Sequence, residues 1–478
     1  MTLQKCVFVV LATLAPVTAA AQSAEGIAHL LPDLILRGIT LPEAGAPGNP
    51  HAGHFTLGNP THGGSQAVSI PDSGAIGAVE AFNDRLRSQF ANFPLGSSSA
   101  GFTYTYNEQL GTYTRRSGSF GPAFTERAVT IGRGQRSVGV NFQRTSFDSF
   151  GGESLGDRSI TFYLPHTDCC NAAAPPPSNL TPGFEGDLIE AALELKASTN
   201  TFAFFANVGV TDKLDIGVAV PVSHVSMEAN VRARIIRLAS AATPLVHTFV
   251  QGQDVSEQTF AESGDATGIG DIVVRSKYNF VQSGGNGLAA AVDLRLPTGD
   301  SDNLLGLGTT QAKLYLIWSQ SHERFSPHVN VGFTASGRGD YDVTAAGYTP
   351  LGVSDEFNYA GGIEFAVNPQ LTVIADVLGR TLIDAGKVEA ATKTFQFRQG
   401  AASPGTTPLE TSTVNPLTNA PYRQLALTSG HLNLTLGSAG VKYNPFPNVL
   451  LSGNVLFPLS DAGLRDSLTV AFGVDFAF

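Results

Sequence analysis

A few short stretches of this chain carry residue types that could do chemistry. In "GESL", at Gly152–Leu155, Ser154 could serve as a nucleophile toward a lipid ester. Such a serine needs a histidine base and a carboxylate that orients it. No Asp-x-x-His follows near the C-terminus, and the chain contains no Gly-x-Ser-x-Gly or His-Glu-x-x-His motif. We therefore expect no catalytic residues and no enzyme.

Three other stretches carry potential metal ligands. "HAGH" contains two histidines at His51 and His54, "PHTDCC" contains the adjacent pair Cys169 and Cys170, and "TGDSDN" offers oxygen ligands at Thr298–Asn303. None of them has the further ligands at the spacing that zinc or calcium sites show. We expect no metal site and no cofactor, and the redox state of the cysteine pair stays open.

The remaining charged residues alternate with apolar ones. "GDIVVRSKYNFV" puts Arg275 and Lys277 on one face, and a turn centred on Gly284 places Arg275 opposite Asp293 on the returning segment. Opposed charges across a strand pair contribute ~0.2–1 kcal/mol. An Arg or Lys facing lipid would instead cost ~2–4 kcal/mol near the midplane, so these charges are predicted to face inward.

Ten residues are predicted on these grounds to line a lumen. They are Asp215, Asp271, Arg275, Lys277, Asp293, Arg295, Lys313, Glu364, Asp376 and Asp475. One interpretation is that they are wall charges that hold water and one another. The other is that some of them form a selectivity region for a permeating solute.

The elements that carry these residues have a period of two from Ala100 onward. "TQAKLYLIW" sets Leu314, Leu316 and Trp318 against Lys313 and Tyr315. Such segments run about nine to twelve residues, which is the length of a tilted strand that crosses a bilayer. Short connections alternate with long ones. The short connections are Ile131–Gln135, Thr211–Lys213, Gln282–Asn286, Ser321–Arg324, Asn368–Gln370 and Asn444–Asn448.

This pattern predicts an all-β fold, a transmembrane antiparallel up-and-down β-barrel of about fourteen strands, with twelve or sixteen also compatible. The alternative is a soluble sandwich or propeller. A buried sandwich core would not accept so many unpaired charges on its inner face. The pattern therefore favours the barrel.

Three regions are predicted along the chain. Residues 1–21, with Lys5, an apolar run and small residues at Ala19 and Ala21, have the pattern of a signal peptide. Residues 22–99 form an irregular N-terminal segment that is either a plug or periplasmic, with one helical piece that puts Phe82 and Leu86 on one face. Residues 100–478 are assigned to the barrel.

Composition supports an exported protein without a nucleic-acid partner. Only 14% of the residues are charged, below the roughly 25% of soluble domains. The net charge is -11, and no basic tract is present to neutralise phosphates. After the leader, no apolar run is long enough for a transmembrane helix. We therefore expect the cell outer membrane of a Gram-negative bacterium.

Three blocks of the sequence resemble a known family. They are "NVGVTDKLDIGVAVPV" (Asn207–Val222), "GIGDIVVRSKYNF" (Gly268–Phe280) and "LRLPTGDSDNLLGLG" (Leu294–Gly308). They resemble the bacterial outer-membrane family named for the MetA pathway of phenol degradation, which is similar in plan to the long-chain fatty-acid transporters. The resemblance implies a barrel that passes small hydrophobic or aromatic compounds. The terminal Phe478, with Phe476, looks like the signal that the barrel-assembly machinery reads.

The leading hypothesis is an outer-membrane channel or transporter for passive passage of small, hydrophobic or aromatic solutes. Its expected partners are outer-membrane lipid, the barrel-assembly machinery and the small-molecule solute. One alternative is a non-transporting surface barrel whose long loops at Phe147–Asp187 and Thr381–Ser429 bind a partner. A further alternative is an outer-membrane lipid hydrolase that uses Ser154.

Overall fold

The computed structural model describes residues 26–39, 41, 74–91, 94, 96, 104–107, 112–115, 118–165, 187–238, 247–250, 252–283, 285–337, 352–397, 418–428 and 430–478. The predicted leader, the "HAGH" stretch and the Cys169–Cys170 pair lie outside these residues. The signal peptide at residues 1–21 therefore stays a prediction.

Most of the described chain is extended. The strands are β1 (Tyr104–Asn107), β2 (Thr112–Arg115), β3 (Arg136–Phe147), β4 (Ser149–Phe150), β5 (Glu153–Ser154), β6 (Ile160–Pro165), β7 (Leu188–Gly209), β8 (Leu214–Ile236), β9 (Glu257–Ile269), β10 (Ile272–Ser283), β11 (Asn286–Leu296), β12 (Gln311–Gln320), β13 (Phe325–Ser336), β14 (Glu356–Asn368), β15 (Leu371–Leu382), β16 (Lys387–Phe397), β17 (Thr418–Thr428), β18 (Leu432–Phe446), β19 (Val449–Pro458), β20 (Leu464–Arg465) and β21 (Thr469–Ala477). The helical pieces are a 3₁₀ turn (Ile27–His29), α1 (Leu30–Pro32), a π-helical turn (Asp33–Gly38) and α2 (Gly74–Phe90).

Twelve antiparallel strands close into a barrel wall. Each pairs with its neighbour in the sequence of wall strands, in the order β3, β7, β8, β10, β11, β12, β13, β14, β15, β18, β19 and β21. The last strand then pairs with the first, with Val470 opposite Arg144 and Ala477 opposite Ser137. The backbone N–H of Phe478 donates to the carbonyl of Arg136 at 2.9 Å, and the reverse bond measures 2.8 Å. Closure leaves this wall without an open edge.

The wall is apolar outside and polar inside, as the alternation predicted. On β12, Leu314, Leu316 and Trp318 are exposed, whereas Tyr315 and Ile317 are buried. On β21, Phe472 and Phe476 are exposed, and Ala471 between two outward residues is fully buried. An apolar band of this kind, on strands that leave no backbone group unpaired, is the surface of a transmembrane barrel. The predicted fold class is confirmed.

The barrel has a short-turn end and a long-loop end. At the short-turn end, β7–β8, β10–β11, β12–β13, β14–β15 and β18–β19 are joined by connections of a few residues. These turns match the predicted ones. Ile131–Gln135 is different, because it does not join two strands but leads from the lumen into β3. Its glycines are typical of a turn, and the stretch was therefore predicted as one although it does not connect two strands.

The strand count differs from the preferred prediction of about fourteen. Fourteen strands belong to the main sheet, but β6 and β9 extend β7 and β8 outside the closed ring of twelve. The sequence pattern also indicates a long loop at Arg237–Asp265, and β9 lies partly within it, while the β16–β17 hairpin lies within the loop expected at Thr381–Ser429. Neither region alternates clearly, because strands that stand in water need no apolar face.

The longest wall strands rise beyond the others at the long-loop end. β7 and β8 run 22 and 23 residues, about twice the length that a bilayer requires. They stay paired from Gly209 opposite Asp215 to Leu188 opposite Ile236. Above the wall, β6 flanks β7 and β9 flanks β8, so that a four-stranded sheet stands over one side of the opening.

The described N-terminal pieces pack against this raised sheet. Phe82 of α2 contacts Phe150 and Phe162, with ring centroids 4.6 and 6.1 Å apart. Leu31 and Ile35, in the first helical turns, are fully buried in the same core. The apolar face predicted for α2 is therefore the face that packs. The boundary at Ala100 stays a proposal, and the first strand of the closed wall begins at Arg136.

Candidate functional site

The structure places all ten predicted lumen residues on the inner side of the wall. Six are buried, and Arg275, Arg295, Lys313 and Asp475 are half-buried. Arg275 lies opposite Asp293 in the β10–β11 register, as predicted. Their assignment to a pathway for solutes stays a proposal. They differ in what they contact, because two separate parts of the chain enter the barrel.

One of these parts, Gly118–Gln135, runs inside the barrel at the short-turn end, and we call it the lumen segment. Arg127 Nε donates to Glu364 Oε1 on β14 at 2.8 Å, and a second guanidinium nitrogen contacts the other carboxylate oxygen. The backbone N–H of Gly121 donates to the same carboxylate at 3.1 Å. Both charged side chains are almost completely buried. This bidentate pair anchors the segment to the wall.

A second cluster joins the lumen segment to the opposite part of the wall. Glu126 accepts from both Arg275 and Lys277 on β10. Arg275 also binds Asp293 through two contacts of 2.6 Å. Asp215 on β8 lies 3.7 Å from the Lys277 ammonium and accepts from the backbone N–H of Ile131 at 3.0 Å. Four of the ten predicted wall charges, Asp215, Arg275, Lys277 and Glu364, thus contact the lumen segment directly.

His328 on β13 completes the anchor region. Its Nε2 lies 2.9 Å from Asp376 Oδ1, and its Nδ1 lies 3.4 Å from Glu364 Oε1. The sequence analysis missed His328, although Ser326, His328 and Asn330 alternate on one face of β13. It also missed Glu126 and Arg127, because the lumen segment has no periodicity that could single them out.

The long-loop end of the lumen is covered by α2 and its neighbours. The Gln89 side-chain oxygen accepts from the backbone N–H of Leu464 at 2.7 Å. Arg295 on β11 donates to the carbonyl of Ala91 at 2.9 Å. Phe90, at the C-terminal end of α2, points toward the lumen interior, where it lines a cavity. The helix therefore caps the end opposite to the lumen segment.

The docking of α2 is expected to depend on pH. The pKa of Glu80 is raised to about 7, mainly by burial and then by the Asp84 carboxylate, against the opposing effect of the nearby Arg87 guanidinium. A carboxyl group with a raised pKa binds its proton more tightly when docked. Its stabilising contribution is complete below the unfolded pKa of 4.5, declines as the pH rises, and is lost above about pH 7.

Amide hydrogen exchange tests this expectation. After correction for the intrinsic rate, amides of residues 76–90 should exchange roughly tenfold faster at pH 8 than at pH 5. Glu80→Gln should remove the difference, whereas Glu323→Gln, in an exposed turn at the short-turn end, should retain it. Equal exchange at both pH values in the unmodified protein would contradict the expectation.

A cavity of about 290 Å³ lies between α2 and the lumen segment, and we call it the chamber. Phe90 lines it from the long-loop end, and Phe124 and Glu126 of the lumen segment line it from the short-turn end. The wall contributes Arg275, Asp293, Arg295, Lys313 and Tyr315 from β10–β12, and Leu378, Leu434, Leu436 and Leu456 from β15, β18 and β19. The chamber thus has a charged wall and a leucine wall, named here by these two sets.

No catalytic or metal constellation is formed by the described residues. The Ser154 hydroxyl accepts from the backbone N–H of Gly156 at 3.2 Å, and within the described chain it has no histidine partner. Among the residues with assigned positions, no group of three His, Cys, Asp or Glu side chains is arranged to hold a metal ion. The helices of the described ranges include none that is long and apolar enough to span a membrane.

The chain is similar in structure to several solved proteins. An outer membrane channel from Pseudomonas putida F1 shares 11% identity with a TM-score of 0.41, over 73% of this chain and 98% of that one. A Pseudomonas aeruginosa FadL homologue shares 12% identity with a TM-score of 0.29, over 73% and 89%. The CymD monoaromatic hydrocarbon channel shares 9% identity with a TM-score of 0.27, over 72% and 88%. Because these TM-scores are low, the similarities carry no argument about function.

Comparison at the level of sequence gives a more specific result. No curated protein matches the chain. A family model described as "Putative MetA-pathway of phenol degradation" matches residues 181–407. The matched range includes all three blocks on which the resemblance was based. Residues 181–407 of this chain, which include β7 to β16, therefore match that family, and the recognition made from the sequence is confirmed.

Proposed function

We propose that the protein is an outer-membrane channel through which small organic solutes pass the lumen. The observation that carries this proposal is the chamber, a cavity between α2 and the lumen segment, inside a wall that is apolar on the outside. By the general pattern of such barrels, the short-turn end faces the periplasm and the long-loop end faces the outside. Phe476 and Phe478 lie on the outer face of the last strand, where the assembly machinery could read them.

Passage requires the lumen segment to move. Its contacts at the short-turn end tie it across the lumen to two separate parts of the wall, because Arg127 contacts β14 and Glu126 contacts β10. These contacts are side-chain pairs and single backbone bonds, with no strand pairing between the segment and the wall. The segment can therefore leave while the barrel stays closed, and the chamber then opens toward the periplasm.

A reversible lock tests this function. The backbone nitrogen of Ala128 lies 3.0 Å from the Ser319 hydroxyl on β12, so Ala128→Cys with Ser319→Cys can join segment and wall. In this double variant Cys169 and Cys170 are also replaced by serine, and Cys6 belongs to the predicted leader. We expect lipid vesicles with the oxidised variant to take up little phenol, and reduction to restore uptake to the unlocked level.

The single variant Ala128→Cys is the matched control and should be insensitive to the redox treatment. Equal uptake in the locked and reduced states would show that the solute path does not cross the lumen segment. A folded barrel that passes neither solute nor current in either state would contradict the channel function. That last result would favour the non-transporting surface barrel, in which the raised sheet of β6–β9 would be the surface that binds a partner.

A further inference from the structure

The chamber is amphipathic, and its two walls lie on different strands. The charged wall comes from β10, β11 and β12, and the leucine wall comes from β15, β18 and β19. Such an arrangement is typical of sites that orient a ligand with one polar and one apolar end. The chemistry of that polar end follows from the balance of charges in the chamber.

Most charges of the chamber neutralise one another. Arg275 is paired with both Asp293 and Glu126, and Glu126 also accepts from Lys277, so that two cations neutralise two carboxylates. Arg380 on β15 lies 3.7 Å from Glu356 on β14. Each carboxylate in these ion pairs therefore has a cation as its partner. The chamber therefore presents no excess negative charge to a ligand.

Lys313 is the exception among the cations. With the residues that the structure describes, its ammonium forms no hydrogen bond and no ion pair, and it lies over the Tyr315 ring, 4.7 Å from nitrogen to centroid. It lies opposite Asp293 in the β11–β12 register, but that carboxylate is held by Arg275. A half-buried ammonium without a counterion is costly, because the protein replaces only part of its hydration.

We propose that the chamber binds a small amphipathic organic anion, such as an aromatic carboxylate, with its carboxylate at Lys313 and its apolar body against the leucine wall. The chamber volume of about 290 Å³ lies at the lower end of ligand pockets and suits a single ring. This inference deepens the proposed function, and a role of the site in transport rests on that function. Binding itself can be measured without transport.

Calorimetry on the full chain in detergent tests the site with three probes. These are benzoate, its neutral analogue benzyl alcohol, and acetate, which carries the charge without the ring. We expect benzoate to bind about ten- to a hundredfold more tightly than either of the others, because a charge-assisted contact and the leucine wall act together. Equal affinity for benzoate and benzyl alcohol would overturn the proposal.

Substitutions separate the contributions of the two walls. Lys313→Gln should weaken benzoate binding at least about tenfold and leave benzyl alcohol unchanged, and Lys313→Arg should restore most of the loss. Leu378→Ala should weaken both ring compounds alike. Arg133→Gln, which removes an exposed cation at the short-turn end, is the matched control and should bind as the unmodified protein does.

Folding of each variant is checked by the change in electrophoretic mobility on heating, so that a loss of binding is not a loss of the barrel. Unchanged benzoate affinity in folded Lys313→Gln would overturn the anion site. Binding that behaves as expected, together with no uptake in vesicles, would retain the site and contradict the channel. Uptake without any preference for the anion would retain the channel and contradict the anion site.

Discussion

Arg127→Ala is expected to turn a mostly closed barrel into a mostly open one. The Arg127 and Glu364 side chains are 2% and 0% exposed. Removal of one partner from a buried pair costs about 3–5 kcal/mol, because the other charge is left without compensation. This cost falls only on the state with the lumen segment docked, so the docked fraction should fall relative to the open state by about a hundred- to a thousandfold. Conductance per inserted protein in planar bilayers measures the change.

Two controls make this result specific. Arg133→Ala breaks an exposed pair with Asp212 near the same end, which is worth about 0–1 kcal/mol, and its conductance should stay close to that of the unmodified protein. Arg127→Ala combined with Glu364→Ala removes both buried charges and should be less open than Arg127→Ala alone. A folded Arg127→Ala barrel with unchanged conductance would show that the segment is held elsewhere or does not gate the lumen.

Leu316→Arg is expected to lower the free energy of unfolding in lipid by about 2–4 kcal/mol. Leu316 lies in the middle of β12, is 56% exposed, and stands beside Ala290 and Val331 on the outer face. At this level an outward guanidinium would lie in hydrocarbon. Urea titration of the barrel in vesicles, followed by electrophoretic mobility without heating, gives the free energy.

The matched control for this change is Phe325→Arg. Phe325 is 50% exposed and begins β13 at the short-turn end, close to the expected membrane surface. There an arginine costs only about 0–1 kcal/mol, because its guanidinium reaches water. Equal losses for the two variants, or no loss for Leu316→Arg, would mean that the apolar band does not lie in a bilayer.

The barrel wall was largely readable from the sequence. Side chains of a strand alternate sides whatever the rest of the fold does, and water or lipid then selects which residues each side can hold. "TQAKLYLIW" was therefore enough to place Leu316 outside and Lys313 inside, and the turn after β10 was enough to bring Arg275 opposite Asp293. The main sheet has fourteen strands, but β6 and β9 only flank β7 and β8, so the closed ring has the twelve strands that the prediction also allowed.

The contacts inside the lumen could not be predicted from the sequence in the same way. Arg127 and Glu364 are 237 positions apart, and nothing local marks Arg127, since its segment lies in the lumen and is not paired as a strand. Lys313 was predicted to face inward, but that it lacks a counterion depends on Arg275 taking up both Asp293 and Glu126. The sequence by itself determined a closed wall with a polar interior, because that follows from local alternation between two solvents. Only the tertiary structure decided which charges are neutralised by the lumen segment and which are left for a ligand, because those pairs form between parts of the chain that share no local pattern.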